Sequence, residues 1–141
     1  MSTTQIPGLL RPVVALNVWT FFMEIWMYKV RIPVFTKLNF PNTITKPELD
    51  RMTPANVRWK ADNYNHLMEQ PTQFYAIALA LAVAGDDDPV NLFLAWSYVA
   101  VRITHSLVHC TTNHVMTRFS TFVFSSGILM ALTARAALLV F

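Results

Sequence analysis

Charge is scarce in this 141-residue chain: 13% of it is Asp, Glu, Lys or Arg, against 54% hydrophobic. A soluble domain carries about twice that charged fraction, so the first expectation is a membrane protein. Cysteine occurs once, at Cys110, which excludes an intrachain disulfide and leaves the redox compartment open. Glycine occurs three times and offers no GxxxG pair for close helix packing. The N-terminus, MSTTQIPGLLRPVV, has one basic residue and no small-residue cleavage site, so it reads as a tail entering a span, not a removable signal peptide. The net charge of +3 is not a nucleic-acid footprint, because most basic residues fall in one membrane-flanking loop. No nucleic-acid partner is expected.

What is present is apolar sequence in span-sized blocks. A bilayer core of about 30 Å needs roughly 20 apolar residues per helix. The whole chain, 1–141, is therefore expected to form a single four-span membrane domain, with spans near 12–30, 63–84, 89–110 and 118–140. Pro12 suits a first helical turn. Glu24 interrupts the first span, and an intramembrane carboxylate normally faces a bundle interior and a partner. Lys29 and Arg31 can snorkel to the interface. Residues 32–53, with Pro33, Pro41 and Pro47, read as a loop, and Thr53-Pro54 as an N-cap with proline following. One long helix is expected over 54–84, polar at first and then apolar, kinked at Pro71. Asp88-Pro89 should cap the third helix, and a polar break at 111–114 precedes the fourth.

Orientation follows from the basic residues. Lys29, Arg31, Lys37, Lys46, Arg51, Arg58 and Lys60 cluster in the first loop and its flanks, while the second loop is acidic. The positive-inside rule then puts the first and third loops in the cytoplasm and both termini on the other side.

Two polar stripes run along these helices. Tyr98, Arg102, His105 and His109 step by four, three and four, as do Asp62, His66, Glu69 and Gln73. Facing lipid, each unsatisfied group would cost several kcal/mol, so the stripes should meet. An Arg102–Glu69 ion pair fixing helix register is one way to satisfy them. Arg31, Glu69, Arg102, His105, His109 and Arg118 nevertheless leave a surplus of positive groups on the cytoplasmic side. Such a surplus points to an anionic ligand (carboxylate, phosphate or thiolate) or to anionic headgroups. His66-x-x-Glu69 and His105-x-x-x-His109 have metal-ligand spacing, but Arg102 and Arg118 would repel a cation, so no metal is expected. A bis-histidine haem is disfavoured further, and Cys110 reads as packing.

The four spans, the long basic first loop, Glu69 in the second helix and Arg102-Ile103-Thr104-His105 in the third resemble the MAPEG family, membrane-associated proteins in eicosanoid and glutathione metabolism. The resemblance covers most of the chain and is weakest over residues 1–20. It implies an all-α integral membrane four-helix bundle, assembled as a homotrimer, with glutathione between subunits near the cytoplasmic face. It also implies that Arg118 stabilises the glutathione thiolate, while Arg31, Arg58, Asn65, His66, Glu69, Arg102, His105 and His109 bind the peptide. A guanidinium close to sulfur in a poorly hydrated pocket favours the charged form. Of the family's Arg-Ala-x-x-Asn-x-x-Glu pattern, only Glu69 is in register: His66 holds the asparagine position and Asp62 the arginine position. Asn65 lies one residue off and Arg58 one turn further back. His109 replaces a tyrosine of the prostaglandin synthase branch, and Phe119 a serine of some relatives. Leu67-Met68-Glu69-Gln70-Pro71 followed by Phe74-Tyr75 looks like a bacterial-type branch, which implies a multi-pass protein of the bacterial inner membrane.

The implied activity is a glutathione-dependent transferase or peroxidase, acting on a lipophilic electrophile or lipid hydroperoxide that enters from the bilayer. The alternatives are a non-catalytic scaffold or accessory subunit in a larger membrane assembly, favoured by Asp62 and His66, and a lipid- or quinone-binding protein.

Overall fold

The structure, a computed structural model, describes residues 6–141. All regular structure among them is helical: α1 (Leu10–Lys37), α2 (Lys46–Met52), α3 (Ala55–Leu67), α4 (Pro71–Val83), α5 (Pro89–Cys110) and α6 (Val115–Val140). Two of these, α1 and α6, are long and apolar enough to cross a membrane. Their outward positions include Val14, Val18, Phe21, Phe22 and Ile25 on α1 and Phe119, Val123, Phe124 and Met130 on α6, all exposed. Apolar faces of that extent suit lipid better than water.

The termini of the elements follow local chemistry. Gly85, at φ 73°, closes α4: its amide bonds Ala82 O, and the Asp86 amide bonds Leu81 O. That is a Schellman cap, for which a left-handed residue is required. Asp88 then caps α5 as expected, accepting from the Val90 amide at 2.8 Å. Asp88→Ala should cost about 1 kcal/mol for the cap and also releases Arg135, together read as a lowered midpoint in denaturant unfolding of the detergent-solubilised protein.

Four expectations need correction. First, α1 does not stop near 30 but runs through Pro33 to Lys37. Pro33 removes one backbone bond but is exposed, so solvent or headgroups can take the freed carbonyl. Second, the stretch expected as a loop contains α2, started by Thr45, whose amide and hydroxyl both donate to the Glu48 carboxylate (3.1 and 2.6 Å). Third, Thr53 does not cap α3; its hydroxyl donates back to Leu49 O at 2.7 Å. Fourth, the expected kinked helix over 54–84 is two helices. A turn at 68–70 separates α3 from α4, and Pro71 sits in the first turn of α4, where its missing N–H costs nothing.

The core lies among α1, α4, α5 and α6. Leu16, Phe74, Ala78, Leu81, Ala95, Tyr98, Leu129, Leu132 and Ala136 are buried together. Four of these nine positions are Ala78, Ala95, Ala136 and the aromatic Phe74, whose ring stacks on Tyr98 at 4.5 Å. The alanines allow close helix approach, and the ring pair fills the space below the α3–α4 break. A second, smaller cluster of Met23, Leu67 and Cys110 ties α1, α3 and α5 together. At the other end, Arg135 of α6 hydrogen-bonds Asn91 and pairs with Asp88, fastening α6 to the α4–α5 turn.

Candidate functional site

Two clefts flank α3. Arg31, Lys46, Asp50, Thr53, Arg58, Asp62 and Asn65 line the first, of about 290 Å³. His66, His105, Val115, Arg118, Phe119 and Phe122 line the second, of about 260 Å³. Arg31, Arg58 and Asn65 therefore converge on one cleft, and His66, His105 and Arg118 on the other. Asn65 and His66 are adjacent in sequence, and one residue turns an α-helix by about 100°. That rotation sends them to different clefts.

The first cleft is cationic but not purely so. The Arg31 guanidinium stacks on Phe35, 4.6 Å from the ring centroid. Lys46 donates to Asp50 at 2.9 Å, which raises the ammonium pKa. The Thr45 hydroxyl and then its amide hold the Glu48 carboxyl below the usual range. Arg58 is half-buried, and its Nε has no partner in the protein.

Behind the second cleft, the third-helix stripe forms as its spacing predicts. Tyr98, Arg102, His105 and His109 are all buried, Arg102 completely. The second-helix stripe does not form. The break at 68–70 leaves Asp62, Glu69 and Gln73 exposed while His66 turns inward. The Arg102–Glu69 ion pair is correspondingly absent. Among the described residues the ion pairs are Lys46–Asp50 and Arg135–Asp88. Arg102 instead donates to His66 Nδ1 at 3.0 Å and His66 O at 3.2 Å. Arginine is only a donor, so His66 Nδ1 accepts and its proton resides on Nε2. A guanidinium on the last carbonyls of α3 has the favourable orientation for a helix C-terminus, which explains a buried arginine without a carboxylate.

The rings of His66 and His105 stack at 5.0 Å, and His109 meets both edge-on at 6.3 and 5.9 Å. Among the described residues no set of three or more His, Cys, Asp or Glu side chains is placed to hold a metal ion.

Arg118 donates through one terminal nitrogen to Asn113 Oδ1 at 2.6 Å, and its Nε is buried without a partner. Asn113 occupies the left-handed region at φ 51°, where asparagine is among the few residues tolerated. The turn between α5 and α6 thereby aims Arg118. Asn113 is absent from the sequence-derived set, as are Gln70 and Thr121. Gln70, in the break, donates to Ser126 Oγ of α6 at 2.6 Å, and Thr121 lies 3.0 Å from His105 Nδ1. Asn113 had a signal in its turn position; Gln70 and Thr121 had none, because their roles depend on which helices meet.

The residues present suit an anionic ligand in one respect above others. Each cleft carries a guanidinium with an unpartnered buried Nε, Arg58 in the first and Arg118 in the second. These are donors that a carboxylate and a thiolate would satisfy. No match is found among curated proteins or among solved structures. A family model, that of the MAPEG family, matches residues 9–138, nearly the whole chain. The chain, all-helical with an arginine- and histidine-lined site, belongs to the MAPEG family.

Proposed function

We propose that the protein is a four-span membrane bundle, homotrimeric, with its clefts toward the cytoplasm and both termini opposite. It would lie in a bacterial inner membrane. In this reading it binds glutathione and uses the thiol on a lipophilic electrophile or a lipid hydroperoxide. The observation that carries the proposal is the pair of guanidinium groups with an unpartnered Nε, Arg58 and Arg118, one lining each of the two clefts beside α3. Arg31, Arg58 and Asn65 serve the peptide's carboxylates in the first cleft. Arg118 serves the sulfur in the second, with Phe119 and Phe122 providing the apolar wall for the second substrate. Glu69, exposed between them, suits the ammonium group. Arg102 and His109 line neither cleft and act by holding His66 and His105 in place. The exposed Glu69, Thr72 and Gln73 on an otherwise apolar surface support cover by a second copy.

Calorimetric binding of glutathione to the detergent-solubilised protein tests the proposal. Arg58→Ala should weaken it by about tenfold or more, the worth of one hydrogen bond to a charged group. No binding to the wild type would exclude it. A second reading, a scaffold that has lost the chemistry, rests on Asp50 and Asp62, which line the first cleft and oppose a carboxylate there.

A further inference from the structure

His105 sits on α5, only 2% exposed, with Nδ1 3.0 Å from the Thr121 hydroxyl on α6. That hydroxyl has one hydrogen and two acceptors on its own helix, Thr117 O at 2.9 Å and Arg118 O at 3.0 Å. Helical threonines characteristically bond back to such carbonyls. With its hydrogen so engaged, the Thr121 oxygen accepts from His105 Nδ1–H. A neutral imidazole carries one N–H, so Nε2 holds a lone pair. Nε2 is buried and has no partner in the protein, and the ring lines the Arg118 cleft. The opposite tautomer would aim a donor into a cleft already lined by a guanidinium. His66 cannot satisfy Nε2, since the two rings meet face to face.

We propose that Thr121 is a positioning residue that fixes His105 as the Nδ1–H tautomer, so that Nε2 accepts a neutral N–H from the ligand beside Arg118. The donor has to be neutral. The groups facing His105 are His66 from α3, Arg102 and His109 from α5, and Arg118 from α6, so an ammonium would meet like charge. Arg118 in turn requires an acceptor or anion. An acylated cysteine carries both within one residue: its sulfur and its amide nitrogen are separated by only two carbons. The cleft is thereby selective for a peptide thiol over free cysteine, whose nitrogen is cationic. This inference rests on the glutathione reading and names which atoms of the peptide the second cleft grips.

The test uses the full-length protein in detergent micelles with isotope-labelled histidine. Nitrogen NMR should show the wild-type His105 as the Nδ1–H tautomer, unchanged in Thr121→Ser and converted to a mixture in Thr121→Val. A wild-type Nε2–H form, or a Thr121→Val spectrum identical to wild type, overturns the inference and leaves the glutathione reading standing. In calorimetry, glutathione methylated on the cysteinyl nitrogen should bind the wild type about tenfold more weakly than glutathione, the loss of one hydrogen bond. In His105→Phe the two peptides should bind alike. Equal binding to the wild type overturns the amide assignment and points to a donor on the second substrate. If neither peptide binds, the ligand half falls together with the proposed function, and the NMR result still decides the role of Thr121.

Discussion

Arg102→Leu is expected to destabilise the protein by about 2 kcal/mol, since a buried acceptor left unsatisfied costs about 1–3 kcal/mol. The acceptor left without a donor is His66 Nδ1; His66 O, served by the same guanidinium nitrogen, also accepts from the Glu69 amide. The second terminal nitrogen reaches Gln70 Oε1 only at 3.5 Å, too long to add much. The arginine is wholly buried and closes the C-terminal end of α3 where the chain breaks before α4. Its loss should therefore loosen the α3–α4 junction first. Arg102→Lys should recover only part of the loss, because lysine ends one bond short of the terminal guanidinium nitrogen that serves both His66 atoms, and its ammonium is more strongly hydrated. Denaturant unfolding in micelles, followed by circular dichroism, measures both. An unchanged midpoint for Arg102→Leu would mean that the break is held by packing alone.

Arg118→Ala is expected to act in the opposite manner, leaving the fold intact and removing the chemistry. Its side-chain bond within the protein is to Asn113 at the surface turn, and the residue is only half-buried. Removing a preorganised charge stabiliser typically costs about 10²–10³ in turnover. Conjugation of a lipophilic electrophile should fall by that factor while the unfolding midpoint moves little. Asn113→Ala should give a smaller loss, since the guanidinium stays but is no longer aimed. A variant with full turnover would remove Arg118 from the reaction.

Much of this arrangement is legible in the sequence, and the parts that are not share a physical cause. Asp88-Pro89 announces the start of α5 because capping is local chemistry. The Tyr98–His109 stripe is readable because α5 is unbroken over its whole length. The stripe from Asp62 to Gln73 fails because Pro71 begins a new helix, so the spacing rule is applied across a turn. His66 rather than Glu69 becomes the partner of Arg102 for the same reason. Periodicity reports which residues share a face only while the helix continues. Thr121 and Gln70 are invisible for a different reason: each matters through a contact to another helix that exists only once the helices pack together. Pro33 illustrates the converse error, a helix breaker tolerated because it lies exposed near the end of α1.

The central claim is that the second cleft binds a thiol and stabilises it as the thiolate on Arg118. The most direct measurement is an ultraviolet difference spectrum of the purified protein titrated with glutathione at neutral pH, in wild type and in Arg118→Ala. The account predicts a saturable thiolate band in the wild type that is lost in the variant. A wild type without that band at saturating glutathione, or a variant that keeps it, would contradict the account.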